Sequence, residues 1–297
     1  MWNSFYPPLD WEANRATWPH SSHSRFIARP GLTWHVQTFG QGPLLLLLHG
    51  TGASSHTWRD MVELLAREHT VMCPDLPGHA FTGLHQQDNP SLRNMALGLG
   101  DLLDHMGIWP KAIVGHSAGA AVAAQLVLNN MARPTPVLIG LAPAWLPLPG
   151  LASWLFPSTA RLLALNPLSA RFLSSRASRP SVVRNLLDST GSRLNDEGLS
   201  YYQRLLQSPA HVRGVLSMMV AWRLDQLERD LPRLKGPVFM QIGSNDRTIP
   251  AKLAQQAQRL LPHAVTHVSA GLGHLAHEEA PAAASAQILQ WVSQTAR

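Results

Sequence analysis

Apolar and polar positions alternate from 31 to 39, and the stretch ends at the turn sequence Gly40-Gln41-Gly42-Pro43. A period of two predicts a strand. The next run, Leu44 to Leu48, is uninterrupted leucine, the pattern of a strand covered on both faces. Helical spacing follows over 56–67, with Trp58, Met61, Leu64 and Leu65 on one side. The same two rhythms predict strands at 70–73, 112–114 and 137–141, with helices near 91–106 and over 118–130. From 143 to 234 the chain is helical in tendency, broken by prolines and without a clear strand. Alternation resumes with strands at 238–242 and 264–268 and helices at 251–261 and 282–293. Such alternation predicts an α/β fold, a mostly parallel central sheet flanked by helices. The interruption predicts a helical lid inserted between two strands. The expected boundaries are a core at 1–142 and 236–297 and a lid at 143–235.

The length of 297 residues, 45% of them hydrophobic, suffices for one large buried core. A single cysteine, Cys73, excludes an intrachain disulfide framework. It lies in an apolar stretch and reads as a buried thiol, which fits a reducing compartment. The first ten residues lack the basic and apolar regions of a secretory signal. Leu44–Leu48 is far shorter than the ~20 residues that span a bilayer. The expectation is a cytoplasmic protein. Charge is uneven: residues 134–235 carry 12 basic and 6 acidic side chains, a surplus equal to the whole net charge of +6. No nucleic-acid-binding motif accompanies it, so no nucleic-acid partner is expected. A basic face suits anionic lipid, an acidic protein or a carboxylate-bearing ligand. A solvated arginine-rich surface reads the same.

The most specific local sequence is Gly115-His116-Ser117-Ala118-Gly119, a G-x-S-x-G between a predicted strand and a predicted helix. Small flanking residues permit the sharp turn that leaves a serine exposed above a sheet. Serine is a poor nucleophile at neutral pH and needs a base oriented by a third group. Asp246 in Gly243-Ser244-Asn245-Asp246-Arg247 and His274 in Gly271-Leu272-Gly273-His274 each follow a predicted strand. Their order after Ser117 is that of the α/β-hydrolase triad, and strand carboxyl ends are where open α/β sheets bind ligands. Asp246 also reads as a turn cap before Ile249-Pro250. His277 is an alternative base, but it falls at the start of a helix, and a catalytic imidazole suits a loop. His49-Gly50-Thr51-Gly52 follows the leucine strand. The expected oxyanion donors are the backbone N–H groups of Thr51 and Ala118. His49 and His116 read as structural hydrogen-bonders. Asp75-Leu76-Pro77-Gly78-His79 reads as a structured turn, with a weak metal-site alternative. No P-loop, dinucleotide glycine motif or H-E-x-x-H is present, so no cofactor or metal is expected. In the lid, Trp145, Trp154, Phe156, Met218 and Trp222 are candidates to line an apolar substrate pocket. They could also dip into a membrane beside Arg161, Arg171, Arg176 and Arg179, or simply pack on the core.

These residues resemble the α/β-hydrolase superfamily from about Arg25 onward. A narrower resemblance is to the magnesium-chelatase accessory proteins of bacteriochlorophyll biosynthesis. It is carried by Asp10-Trp11-Glu12 and Trp18-Pro19, Trp34-His35-Val36-Gln37, His49-Gly50-Thr51-Gly52-Ala53-Ser54 and Gly115-His116-Ser117-Ala118-Gly119-Ala120-Ala121. Thr190-Gly191-Ser192-Arg193-Leu194 and Leu227-Glu228-Arg229-Asp230-Leu231-Pro232 extend it into the lid. The resemblance implies a place in photosynthetic pigment synthesis, near magnesium insertion into protoporphyrin. It implies a bulky hydrophobic or tetrapyrrole small molecule as ligand, with arginines meeting its propionates. Magnesium chelatase subunits are the implied partners, and the basic lid offers a peripheral membrane contact. One departure is Ala80, where the family usually has glycine. Three functions are expected: a serine hydrolase of ester-type acyl substrates, a non-catalytic accessory or porphyrin-binding protein, and a general carboxylesterase or C–C hydrolase outside pigment synthesis. Serine at 117 disfavours the dehalogenases and epoxide hydrolases of this fold, which use aspartate there.

Overall fold

The computed structural model describes residues 8–84, 89–147 and 169–295. Eight strands form one sheet: β1 (Ser24–Arg29), β2 (Leu32–Phe39), β3 (Leu44–Leu48), β4 (Thr70–Pro74), β5 (Ala112–His116), β6 (Val137–Leu141), β7 (Val238–Gly243) and β8 (Val265–Ser269). Their order is β1-β2-β4-β3-β5-β6-β7-β8. β1 and β2 pair antiparallel, as do β2 and β4, and every later pairing is parallel. The labelled helices are α1 (Leu92–His105), α2 (Ala118–Asn129), α3 (Ser169–Arg176), α4 (Pro180–Asp188), α5 (Asp196–Gln207), α6 (Pro209–Ala221), α7 (Asp225–Asp230), α8 (Ala251–Leu260) and α9 (Pro281–Gln294).

The leucine run of β3 shows why both faces must be apolar. Leu46 and Leu48 join a core with α1, α2 and α8, through Met95, Leu99, Val122 and Leu253. Leu45 and Leu47 point the other way, to Trp58, Met61, Leu65, Ile288 and Trp291. Successive side chains of a strand face opposite sides, so a sheet with helices on both leaves no polar position at its centre.

Two local expectations need correction. The 56–67 segment is not one helix: a 3₁₀ turn spans Ser55–Trp58 and a single helical turn spans Val62–Leu65. Trp58, Met61 and Leu65 are still buried, but Thr57 and Arg59 are buried as well. Those polar side chains reach Glu278, so the chain bends to present both kinds of residue inward. Strand β1 was not anticipated, because it is an edge strand with no buried residue and so lacks a periodic apolar signal. Between β6 and β7 the described regular structure is helical, α3 to α7 and one 3₁₀ turn, Leu231–Arg233. Among the described residues no helix is long and apolar enough to cross a membrane.

Candidate active site

Ser117 stands between β5 and α2 with φ 51° and ψ −116°. A side chain in that left-handed region costs on the order of 1–3 kcal/mol and persists only where the surroundings impose it. They do so here. Ser117 N–H donates to Leu141 O at 2.9 Å, and its carbonyl accepts from Ala120 and Ala144 N–H at 3.1 Å each. A Cβ on Gly115 would collide with the Ala120 backbone, and one on Gly119 with the carbonyls of Leu48 and His49. The turn therefore tolerates no side chain at either glycine, and Ser117 alone is left half-buried above an otherwise buried strand.

The other two triad candidates meet at the ends of β7 and β8. His274 Nδ1 lies 2.8 Å from Asp246 Oδ2, with the carboxylate almost fully buried. An ionised carboxylate only accepts, so the Nδ1–H donates and Nε2 is left as the basic nitrogen. Asp246 Oδ1 accepts from the N–H groups of Thr248 and Ile249 at 2.7 and 2.9 Å. Asp246 thus caps the turn with one oxygen and meets the His274 ring with the other. His116 joins the elbow to the base: its Nε2–H donates to His274 O at 3.0 Å, and the two rings lie 4.7 Å apart. Among the described residues Ser117 Oγ makes no hydrogen bond, and the His274 ring uses only Nδ1. Catalytic hydrogen bonds often tighten only with substrate in place.

His277 is set apart from this chemistry. It is buried in the short helix Ala276–Glu279. Thr57 Oγ1 donates to Glu278 Oε1 at 2.6 Å and so accepts from His277 Nε2–H at 2.8 Å. Burial, then the neighbouring His274 and Arg59, pushes its pKa down to about 3. Burial likewise holds His116 well below the usual imidazole range, helped by His277 and His274.

The loop after β3 touches the nucleophile. A Cβ on Gly50 would meet that of Ser117 at 3.2 Å. His49 fixes the loop by accepting from Leu76 N–H at Nε2, 2.8 Å, and donating from Nδ1 to Gly50 O, 2.8 Å. Thr51 is exposed at the tip, with its hydroxyl 3.8 Å from Met218 Sδ. Ala118 is the buried first residue of α2, where N–H groups lack intrahelical acceptors. Asp75 anchors the same region from beneath, pairing with His35 Nδ1 at 2.7 Å and accepting from Ser55 N–H at 2.7 Å. Burial alone would raise this carboxyl, yet His35, His49 and the Ser55 amide together hold it down at about 2. His79 Nδ1–H goes to Pro77 O, so Asp75 and His79 each serve the turn.

The candidate pocket residues separate. Trp145 is fully buried and donates from Nε1 to Ala120 O at 2.9 Å, pinning the start of the insertion to α2. Met218 is buried in the same core, and Trp222 packs partly buried against it. Trp154, Phe156 and Arg161 lie outside the described residues. Sequence reasoning missed a second set of contacts. Glu278 Oε1 accepts from Thr57 and Tyr202 hydroxyls, and its Oε2 meets Arg59 Nη1, each at 2.6 Å. Glu279 accepts from Gly273 and Arg193 N–H groups. The adjacent glutamates were visible in sequence only as the start of a helix.

A G-x-S-x-G elbow on the fifth strand, an Asp–His pair after the seventh and eighth, and a helical segment after the sixth make up an α/β-hydrolase arrangement. Comparison with known proteins agrees: the α/β hydrolase fold family profile matches residues 43–281, and the chain belongs to that family. It is 39% identical over 286 residues to the magnesium-chelatase 30 kDa subunit of Rhodobacter capsulatus, covering 96% of this chain and 99% of that protein. It is 29% identical over 238 residues to the pimeloyl-[acyl-carrier protein] methyl ester esterase of Vibrio vulnificus, covering 77% of this chain and 86% of that one. An α/β hydrolase fold protein from Burkholderia ambifaria superposes with a TM-score of 0.77 at 25% identity, covering 90% of this chain and 97% of its own.

Proposed function

We propose that the protein is a serine hydrolase of ester-type acyl substrates. The observation that carries this reading is the buried Asp246–His274 pair, 2.8 Å apart, on loops at the carboxyl ends of their strands, as is a strained, half-exposed Ser117. Ser117 Oγ attacks the acyl carbon while His274 Nε2 takes its proton. Negative charge gathers on the acyl oxygen, where the N–H groups of Thr51 and Ala118 are the donors. Loss of one such donor typically lowers kcat about 10²–10³-fold. The protonated imidazole then gives its proton to the leaving alcohol. Water attacks the acyl-enzyme by the same route, releasing the acid and restoring the serine. Asp246 keeps the imidazole in the tautomer that bares Nε2 and stabilises the imidazolium. The methyl ester esterase among the relatives supports an ester as substrate class.

The segment at 143–235 acts in this reading as a lid over Ser117. Its apolar side chains and arginine surplus favour a bulky hydrophobic anion, a tetrapyrrole whose propionates meet arginine. The likeness to a magnesium-chelatase subunit favours a second reading, an accessory role beside that enzyme in pigment synthesis. Hydrolysis of aryl and methyl esters by the wild type, lost in Ser117→Ala, supports the first reading. A folded wild type that hydrolyses none of them, while Ser117→Ala still sustains pigment synthesis in a strain lacking the native protein, overturns it in favour of the second.

A further inference from the structure

We infer that Ser192 and Glu279 are positioning residues for His274, and that through them the insertion forms part of the catalytic apparatus; this rests on the serine-hydrolase reading. Residues 190–193, within the link between α4 and α5, lie across both loops that carry the Asp–His pair. Ser192 is fully buried, and its Oγ accepts from the N–H of Leu275 at 2.7 Å. Glu279 Oε1 accepts from the N–H of Gly273 at 2.8 Å, and its Oε2 accepts from Arg193 N–H at 3.2 Å. The amides immediately before and after His274 are therefore both held by side-chain oxygens. One of those oxygens belongs to the insertion, and the other belongs to a carboxylate tied to it. His274 O is already held by His116.

The acid loop is gripped in the same way. Thr190 O accepts from Arg247 N–H at 3.0 Å, one residue after Asp246. A Cβ on Gly191 would run into Asn245 O, one residue before Asp246, and a Cβ on Gly273 would run into Gly191 and Ser192. These backbones approach too closely for any side chain, so the clasp is built and not incidental. None of its contacts touches the carboxylate or the imidazole, and its effect runs through their neighbours.

The need for such a clasp follows from where His274 sits. β8 is the outer strand, and only Ser269 of its residues is buried. The strand itself offers the loop little support, so what packs on residues 273–278 must fix it, Leu275 in a buried cluster with Val183 and Tyr202 among them; a catalytic base must be held to about half an ångström. Two amide donors converge on Glu279, one on each carboxyl oxygen, so both oxygens serve as acceptors. Glu279→Gln keeps the volume but turns an NH₂ group toward one donor, so it tests the acceptor role without leaving a cavity.

The experiment compares wild type, Ser192→Ala, Glu279→Gln and Glu279→Ala by two readouts. One is the rate of labelling by a fluorophosphonate as a function of pH. The other is the downfield proton resonance of the His274–Asp246 hydrogen bond, identified by its loss in Asp246→Asn. Each variant is expected to label about ten- to a hundredfold more slowly, with a displaced acid limb and a broadened resonance. Wild-type rates, profile and resonance in all folded variants would overturn the inference, even if their melting temperatures fell. If Ser192→Ala does not fold, Glu279→Gln decides. If wild type is not labelled, the hydrolase reading fails by itself, and the resonance, which needs no turnover, decides whether residues 190–193 position His274.

Discussion

The two halves of the candidate site are held by different means. Ser117 sits at the end of β5, every residue of which is buried, and its placement is imposed by backbone contacts from the neighbouring central strands and by glycines that admit no side chain. His274 and Asp246 sit at the sheet's outer edge, beside β8, whose Val265 and Val268 are exposed. Their loops are fixed from outside, by residues 190–193, by Glu279 and by His116. The nucleophile is placed by the backbone of the central strands, and the base chiefly by side chains that grip its loop. Substitutions in residues 190–193 should therefore reach the base and spare the elbow.

The largest effect is expected at the buried junction of the two halves. Glu278→Ala leaves Arg59 buried with only the half-exposed Asp60 at 3.3 Å as carboxylate partner, which should lower stability by about 3 kcal/mol in urea unfolding. Burial alone would raise Glu278, and Arg59, Thr57 and Tyr202 work against that rise. Next come paired glycine substitutions that set the halves against each other. Gly119→Ala drives a methyl into the β3 carbonyls and should cost several kcal/mol of global stability. Gly191→Ala meets Asn245 O instead. It should cost less in unfolding yet slow labelling at least as much as Ser192→Ala. Equal loss of stability in both would erase the distinction.

A pH effect follows from the buried histidines. His211 is held near 4 and His277 near 3, chiefly by burial, whereas an unfolded imidazole titrates near ~6.5. Between those values the unfolded chain binds protons that the folded chain refuses. Stability is therefore complete above about pH 6.5 and falls as pH drops, by about 1.4 kcal/mol per pH unit for each such histidine. Asp75, held at about 2, adds the same sense of loss below about pH 3.9. Urea melts at about pH 7.5, 6 and 5 should show a steady decline. A flat profile would mean that these imidazoles are charged in the folded protein.

The smallest effects are gains. Ser117→Gly relieves a left-handed φ of 51° and should stabilise the fold by about 1 kcal/mol while abolishing labelling. Ala80 carries φ 44°, so Ala80→Gly should stabilise by a similar amount or less, with labelling unchanged. Thermal melts read both.

What was legible in the sequence divides along the same line. The sheet's central strands and the elbow were readable because their determinants are local: apolar runs, small residues and a serine at fixed spacing. Asp246 and His274, which the structure brings together, could be paired from order and from their places after strands. The clasp was not. Thr190-Gly191-Ser192-Arg193 stood out only as part of a family resemblance, since nothing local says that Ser192 reaches Leu275, 83 positions away. Arg59 and Tyr202 were hidden for the same reason, being polar residues whose partner is distant in the chain. Edge strand β1 was missed because it buries nothing.

The central claim, that Ser117 is activated by the Asp246–His274 pair, is tested most directly by exposing the folded protein to a fluorescent fluorophosphonate and locating the adduct by mass spectrometry. One adduct is expected, on Ser117, absent from Ser117→Ala and strongly reduced in His274→Ala. Wild type that stays unlabelled, or labelling that survives in His274→Ala at the wild-type rate, would contradict it.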